Sequence, residues 1–399
     1  MASLNARYFS YRNTASSILE NYDSRVPLTQ FLKSFFRQHT KYGSRDRKII
    51  ADLCYGYFRI GQSASEYNLS DQLTIGYFLT HQIDNGYLQS VFPEWVSQIE
   101  KSILVKLDFI KSLFPSFNSS HIFPFSAPKS IGLDDSSFSI SFLEKPPFFI
   151  RLRPGFEKTV LKKLELAKVS FKELAKNCLI IGEHQDLSSI LIQNKEYVVQ
   201  DISSQQTALL FPNVEKPIVM WDACAASGGK SIMFHDYFPA SKMYASDVRE
   251  SILNELQQRF RAADIKAESI FTVDLFSDAA GEIITKNTPA TGVDFIIADV
   301  PCSGSGTWKR DPEWLRNFKE SDLAFFQKRQ IAIVQKIAPY LKKDGYLLYI
   351  TCSVFKSENE DVLKEIELST ELSVVNSKLI NGLEAGGDQL FVALLTSKF

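Results

Sequence analysis

The feature that most constrains the fold is an alternation of short apolar runs with helical stretches, which begins at Pro217 and continues to residue 352. Near-continuous apolar strands are typical of a parallel sheet that helices cover on both faces. The repetition therefore predicts an α/β fold with a doubly wound parallel sheet, whose ligands bind at the carboxyl ends of the strands. A helix from Ser321, ending before Gly345, is expected ahead of the last strand. The predicted strands are PIVMWD, KMYASD, SIFTVD, VDFIIADV and GYLLYITC.

The chain ahead of this sheet shows two other sequence patterns. Up to about Asp108, apolar residues recur three and four positions apart, which predicts an all-helical domain over residues 1–125. The Pro- and Ser-rich stretch LFPSFNSSHIFPFSAPKS then indicates a linker. Residues 126–200 are expected to hold this linker and a small α+β module, and residues 201–399 the parallel sheet. The module's predicted strands are PFFIRLRP, CLIIG, SILIQ and EYVVQD, and its predicted helix is EKTVLKKLELAK.

Charge and cysteine content indicate what kind of partner the protein binds and in which cellular compartment it is expected. Residues 1–60 carry a balance of +6 and residues 145–176 another +6, although the whole chain is at −1. Two basic segments suit a polyanionic partner, and solvated helix faces explain the same charge equally well. Five cysteines with no CxxC pair argue against a disulfide framework and a zinc cluster. No signal peptide and no apolar run of roughly 18 residues is found, so a cytoplasmic protein without a membrane span is expected.

The segment WDACAASGGKS, from Trp221 to Ser231, has the composition of a cofactor loop between a strand and a helix. Its two glycines let the backbone approach a ligand closely, and the helix N-terminus offers free amides. It matches neither GxGxxG nor GxxxxGK[ST], which disfavours a dinucleotide or phosphate loop. Asp222, Asp247 and Asp274 stand at the ends of three successive predicted strands. Each alone could be a helix N-cap, but the three together favour a cofactor that contains a nucleoside.

Two further segments place thiols at strand ends. ADVPCSGSG puts Asp299 and Cys302 after the fourth predicted strand, and YITCS puts Cys352 after the fifth. Most cysteines are inert core residues, and we interpret Cys54 and Cys178 in that way. Cys302 and Cys352 are instead expected to share one pocket with Asp299, because the ends of neighbouring parallel strands lie side by side.

These segments resemble the signature motifs of the Nol/Nop/Sun family of RNA cytosine-C5 methyltransferases. The resemblance rests on DACAASGGKS, ADVPCSGSG and YITCSVFKSENEDV, with VVQDISSQQTALL before them, and covers residues 146–395. PPFFIRLRPG resembles the start of the family's RRM-like RNA-binding module. SRDRKIIADLCYGYFRI resembles the NusB-like helical domain of bacterial Sun-type members that modify 16S ribosomal RNA. Ser227, Ser231, Val300 and Ser305 replace the family's usual Pro, Thr, Pro and Thr, and none of these changes removes a reacting group.

The resemblance implies a Rossmann-like class I methyltransferase that uses S-adenosylmethionine, with RNA as its partner and no metal. Cys352 is then expected to attack C6 of the cytosine, Asp299 to stabilise charge on the ring, and Cys302 to serve the release of the product. DNA cytosine-C5 methyltransferases lack the second cysteine, so Cys352 favours RNA. The implied cofactor residues are Cys224, Ala225, Ala226, Ser227, Gly228, Gly229, Lys230, Asp247, Asp274 and Asp299. The expected RNA contacts are Arg151, Arg153, Lys309 and Arg310.

Ribosomal RNA is the expected substrate, and a monomer is the expected state. Transfer RNA is an alternative substrate, because the helical domain is shorter than the family's. A second alternative is an RNA-binding assembly factor that keeps the fold with little activity, although both reactive cysteines, Asp299 and Asp247 are retained. A methyltransferase for proteins or small molecules would have no use for paired thiols.

Overall fold

The computed structural model describes residues 2–182, 186–212 and 218–398. Pro217, the first residue of the first predicted strand, lies outside the described residues. The chain divides into two compact units. The first unit comprises Met1–Ser126, Asp134–Pro146 and Thr307–Glu320, and the second comprises Ala127–Leu133, Pro147–Gly306 and Ser321–Phe399. Among the described residues, no helix combines the length and apolarity that crossing a membrane requires.

The helices and strands are numbered along the chain. The helices are α1 (Ala2–Asn21), α2 (Leu28–Gln38), α3 (Ser44–Arg59), α4 (Leu69–Thr80), α5 (Tyr87–Val91), α6 (Ile103–Leu113), α7 (Asp135–Ser141), α8 (Glu157–Leu166), α9 (Ile202–Gln206), α10 (Gly229–Tyr237), α11 (Glu250–Ala262), α12 (Ala280–Asn287), α13 (Trp314–Asn317), α14 (Leu323–Ile337) and α15 (Glu360–Ser369). The strands are β1 (Phe148–Leu152), β2 (Phe171–Ala175), β3 (Cys178–Ile181), β4 (Tyr197–Val199), β5 (Val219–Asp222), β6 (Lys242–Asp247), β7 (Ser269–Thr272), β8 (Val293–Asp299), β9 (Leu341–Thr351), β10 (Leu372–Asn381) and β11 (Gln389–Ser397).

The first unit is helical, as the spacing of its apolar residues predicts. Its helices α3 and α4 pack backbone against backbone, because Gly56 and Gly76 face each other at their crossing. A Cβ added to Gly56 would lie 2.7 Å from the carbonyl carbon of Gly76, so a larger residue at either position would force the helices apart. Lys106 of α6 is fully buried in this unit, and its Nζ donates to the carbonyl oxygen of His81 at 2.7 Å.

The segment Thr307–Glu320 also belongs to the first unit, although it follows β8 in the chain. Arg59 donates to the carbonyl oxygen of Lys309 at 2.8 Å, and a carboxylate oxygen of Glu313 accepts from the backbone N–H of Leu28 at 2.9 Å. Trp308 is buried against Phe123, with ring centroids 5.9 Å apart. The sequence assigned these residues to the sheet-containing domain, and the three-domain division itself stays a prediction.

The small α+β module lies within the second unit. Its four-stranded sheet has the order β2-β3-β1-β4 with every pair antiparallel, and α8 supplies Val160 and Leu164 to its core. The module's α+β character is as predicted, and its RRM likeness stays a prediction. The predicted strand SILIQ is wrong, because the carboxylate of Asp186 caps the N–H of Ser188 and starts a short 3-10 turn there. The strand β2 was missed, since its largely exposed side chains give no apolar pattern.

A seven-stranded sheet with the order β10-β11-β9-β8-β5-β6-β7 forms the centre of the second unit. The five strands from β9 to β7 in this order are parallel, and β11 runs antiparallel to both of its neighbours. Both faces are buried: Ile296 belongs to the core cluster on one face, and Ile297, the next residue along β8, to the cluster on the other. This architecture confirms the predicted Rossmann-like class with a mostly parallel, doubly wound sheet.

Two boundaries in this region differ from the expectation. The helix predicted to run from Ser321 through Leu341 is α14, which ends at Ile337. Pro339 has no backbone N–H with which to continue the helical ladder, and a 3-10 turn follows at Ala338–Tyr340. Leu341 therefore begins β9, and Gly345 lies inside that strand rather than ending a helix.

Candidate active site

The carboxyl ends of the central strands surround a pocket of about 600 Å³. The strand order reverses at β5, which has β6 on one side and β8 on the other, and doubly wound sheets bind ligands at such a reversal. The volume lies within the range of small-molecule sites. The structure brings seven of the predicted site residues to its wall: Cys224, Ala226, Asp247, Asp274, Asp299, Cys302 and Cys352.

The loop from β5 to α10 forms one side of this pocket. Ala226 and Gly228 both adopt left-handed backbone conformations, with φ of +45° and +84°. A Cβ at Gly228 would come within 3.0 Å of the Phe260 ring, so the loop and α11 approach each other closely only with glycine here. Of the predicted loop residues, Cys224 and Ala226 line the pocket, whereas Ala225, Ser227, Gly228, Gly229 and Lys230 support the loop from outside its wall.

Asp247 at the end of β6 ties the loop to the next strand. Its Oδ2 accepts from the N–H of Ala226 at 3.0 Å, and its Oδ1 accepts from the N–H of Arg249 at 3.0 Å. The Nε of Arg249 also donates to Oδ1, at 3.1 Å. An ionised carboxylate offers about four acceptor positions, so these bonds fix the orientation of Asp247 and leave capacity for a ligand hydroxyl.

Asp222 lies beneath the loop and does not line the pocket. It is fully buried, and the hydroxyl of Ser231 donates to its Oδ2 at 2.6 Å. Among the described residues, its Oδ1 has no hydrogen-bond partner. Burial penalises the ionised form and raises the pKa of Asp222 to about 7.

Lys230 and Asp299 form an ion pair at the pocket, with Nζ 3.0 Å from Oδ2. The lysine side chain is largely buried, and the carboxylate is one-third exposed. A lysine at the start of α10 is thus held by the carboxylate at the end of β8, and its charge orients Asp299. Lys230 therefore holds the carboxylate of Asp299 in place, whether or not it also contacts a cofactor.

The two predicted reactive thiols are neighbours, with 3.3 Å between the Sγ atoms of Cys302 and Cys352. The hydrogen bond with Cys352 and burial together raise the pKa of Cys302 well above its ordinary value. Either sulfur can donate the hydrogen in this contact, and the raised pKa favours the protonated form of Cys302. Burial also raises the pKa of Cys224, which makes that pocket thiol a poor third nucleophile.

Sequence reasoning missed several residues of the site, among them Glu358 and Arg329. Glu358 is fully buried and bonds to the loops that follow both thiols, and only its place in the segment SENEDV pointed to it. Arg329 of α14 lines the pocket, and its Nε has no hydrogen-bond partner among the described residues. A single arginine in an amphipathic helix gives no signal in the sequence.

The four basic residues expected to contact RNA are placed differently from one another. Arg151 and Arg153 are buried, and their guanidinium groups pair with Asp236 at 2.6 and 2.8 Å. Both guanidinium groups are held inside the second unit by the one carboxylate of Asp236, so this placement does not support contact with phosphates. Lys309 is buried in the first unit. Arg310 is exposed, and its contact with RNA stays a prediction.

Comparisons with known proteins show which families and folds the chain resembles. Residues 206–390 match the family model described as 16S rRNA methyltransferase RsmB/F. The chain is 32% identical over 210 residues to ribosomal RNA small subunit methyltransferase B of Photorhabdus laumondii, a match that covers 50% of this chain and 47% of that protein. The chain thus spans about half the length of the curated relatives it matches.

Solved structures agree in fold. The crystal structure of PH0851 superposes with a TM-score of 0.64 at 17% identity and covers 98% of both chains. A methyltransferase homolog protein from Pyrococcus horikoshii superposes with a TM-score of 0.55 at 20% identity, over 67% of this chain and 92% of that one. The family resemblance drawn from the motifs is confirmed over residues 206–390, which match the family model described as 16S rRNA methyltransferase RsmB/F.

Proposed function

We propose that the protein transfers a methyl group from S-adenosylmethionine to C5 of a cytosine in RNA, with 16S ribosomal RNA as the substrate. The observation that carries this proposal is the pair of thiols 3.3 Å apart in a pocket that also contains Asp299. Methyltransferases for other substrates need no second thiol. The relatives named as ribosomal RNA small subunit methyltransferases favour ribosomal RNA over transfer RNA.

The pocket fits the proposed cofactor. Asp247, Asp274 and Asp299 give it three carboxylates, which suit ribose hydroxyls, an ammonium group and a positively charged sulfonium. The left-handed turn at Ala226 and Gly228 brings the loop backbone to the same side. When bound, S-adenosylmethionine supplies an electrophilic methyl group. Asp247 and Asp274 would hold it, and Cys224 and Ala226 would pack against it.

Cys352 supplies the nucleophile in this proposal. Its thiolate lone pair forms a bond to C6 of the cytosine, and the electrons of the C5–C6 double bond become available at C5 for methylation. Cys302, which holds its proton, donates a hydrogen bond to the Cys352 sulfur and stabilises negative charge there. Asp299, oriented by Lys230, hydrogen-bonds the N3/N4 edge of the base and stabilises the charge that arrives on the ring.

Release of the product reverses the first step. A solvent water accepts the C5 proton, the electron pair of that C–H bond re-forms the C5–C6 double bond, and the bond between C6 and Cys352 breaks with its electrons going to sulfur. The S–H of Cys302 is placed to stabilise the departing thiolate. The two thiols therefore have different tasks, attack for Cys352 and assistance to release for Cys302.

Methyl transfer by the Cys352→Ala variant tests the chemistry. With cofactor labelled in its methyl group and unmodified ribosomal RNA, we expect label in RNA with the wild type and none above background with the variant. Cys178→Ala is the matched control, because that thiol is buried in the small module outside the pocket, and it should keep its activity. Wild-type labelling by Cys352→Ala would refute attack by this thiol.

The substrate is tested in cells that have or lack the gene. Bisulfite sequencing of ribosomal and transfer RNA should lose a 5-methylcytosine signal in 16S ribosomal RNA when the gene is absent. Restoring the gene with Cys352→Ala should not bring the signal back. A signal lost from transfer RNA alone would contradict the ribosomal assignment.

A further inference from the structure

One buried carboxyl group joins the two loops that carry the thiols. Glu358 precedes α15, and its Oε1 accepts from the N–H of Ser303 at 2.8 Å and from Nε2 of Gln330 at 3.1 Å. Its Oε2 accepts from the hydroxyls of Ser303 and Ser353. Ser303 follows Cys302 directly in the chain, and Ser353 follows Cys352 directly.

The four bonds fill the acceptor positions of an ionised carboxylate. Burial penalises such a group and raises the pKa of Glu358, and the bonds from Ser303, Ser353 and Gln330 oppose that penalty. A core glutamate is rarely retained where an apolar side chain would fill the space. The carboxylate contacts both thiol loops and α14. The free energy that its burial costs is therefore offset by the hydrogen bonds that order these loops.

We propose that Glu358 is a positioning residue, which holds the sulfur atoms of Cys302 and Cys352 at the separation that attack and release require. This inference rests on the proposed function for its catalytic meaning, and the arrangement of the loops supports it. Neither thiol touches Glu358 directly. The carboxyl group acts through the residues that follow them.

The loops have other bonds that should preserve the fold without this carboxyl group. The N–H of Gly306 donates to the carbonyl oxygen of Cys352 at 2.9 Å, and the N–H of Val354 donates to the hydroxyl of Ser305 at 2.9 Å. Loss of Glu358 would therefore loosen the thiols more than it would loosen the sheet. A misplacement of about 1 Å can cost on the order of 100-fold in rate.

Single-turnover methyl transfer is the first measurement, with Glu358→Ala, Glu358→Gln and a matched control. Glu358→Ala should slow the transfer about 100-fold with an unchanged Kd for S-adenosylmethionine, because no cofactor residue bonds to it. Glu358→Gln keeps the shape and its one amide oxygen can still accept from both serine hydroxyls, but its NH2 group then faces the Ser303 N–H and Gln330 Nε2, so it should recover only part of the loss. Glu360→Gln is the control, since among the described residues the Glu360 carboxylate accepts from Ser130 and Ile131 of the same unit and not from either thiol loop, and it should leave the rate unchanged.

Disulfide formation is the second measurement, and it needs neither RNA nor cofactor. Diamide, a diazene oxidant, takes up the two protons and two electrons that Cys302 and Cys352 lose as their sulfurs join. Peptide mass spectrometry should find this bond quickly in the wild type and in Glu360→Gln. Glu358→Ala should form it at least several-fold more slowly. Ser353→Ala, which removes one arm of the network, should be intermediate and replaces Glu358→Ala if that variant does not fold.

The two measurements separate the positioning role from the proposed function. Equal rates of disulfide formation in the wild type, Glu358→Ala and Ser353→Ala would overturn the positioning role, whatever the activity. A loss of cofactor affinity in Glu358→Ala equal to its loss of rate would also overturn it. Slower disulfide formation in a protein whose wild type methylates no RNA would uphold the positioning role and refute the proposed function.

Discussion

Replacement of Asp222 by asparagine should make the second unit more stable at pH 8 and change how its stability depends on pH. Asp222 is fully buried under the cofactor loop, and one of its oxygens has no hydrogen-bond partner among the described residues. Its pKa is about 7 in the folded protein against 3.8 in an exposed aspartate. Between these values the folded state binds more protons than the unfolded state, so stability falls as the pH rises.

The pKa difference sets the size of the effect. A shift of one pKa unit corresponds to about 1.4 kcal/mol, so the rise of Asp222 from 3.8 to about 7 amounts to roughly 4 kcal/mol. The full cost is present above pH 7 and absent below pH 4. Asparagine has the same shape, keeps an oxygen for the Ser231 hydroxyl and carries no charge. Its unpaired amide costs about 1–3 kcal/mol, so a net gain of about 1–3 kcal/mol remains at pH 8.

Hydrogen exchange of peptides that cover β5 and α10 measures this difference. The wild type and Asp222→Asn are compared at the same pH, so that the intrinsic exchange rates cancel. We expect slower exchange in the variant at pH 8 and similar or faster exchange at pH 4.5. A stability difference between the two proteins that does not change between these pH values would refute the assignment of a raised pKa to Asp222.

Two further substitutions test the thiol pair and the buried ion pairs. Cys302→Ala should accumulate a covalent complex between protein and RNA, because the donor that stabilises the departing Cys352 sulfur is gone. The complex would be visible on denaturing gels. Normal turnover without a complex would reverse the roles of the thiols. Asp236→Ala should cost about 3–5 kcal/mol in the free energy of unfolding of the second unit, measured in urea, since it leaves two buried guanidinium groups unpaired. A loss below about 1 kcal/mol would contradict the buried pairing of Arg151 and Arg153.

The sheet was predictable because its central strands are buried on both faces. Consecutive apolar residues such as Ile296 and Ile297 belong to the core clusters on opposite faces of the sheet. Because both faces are buried, the strand needs apolar residues at consecutive positions, and an unbroken apolar run is visible in the sequence. Edge strands lack this constraint. The strand β2 exposes most of its side chains, and β10 is exposed along its middle, so neither has a comparable pattern.

The placement of the pocket carboxylates and thiols was also predictable, because strand ends bring Asp247, Asp299, Cys302 and Cys352 to one edge. The supporting contacts were not predictable. Glu358 lies 55 residues from Ser303 in the chain, and no local pattern marks a bond over that separation. The pairing of Arg151 and Arg153 with Asp236 is equally remote in sequence, and it gives a structural role to charges that composition alone assigns to RNA.

The path of the chain between β8 and α14 has a consequence for modularity. After Gly306 the chain leaves the second unit, contributes Thr307–Glu320 to the helical unit, and returns at Ser321. A recombination event that exchanged only the amino-terminal helices would separate Thr307–Glu320 from the residues it packs against. Trp308 would lose its contact with Phe123, and Glu313 would lose its hydrogen bond with Leu28. The helical unit is therefore built from separate segments of the chain, and its amino-terminal helices alone do not contain all of it.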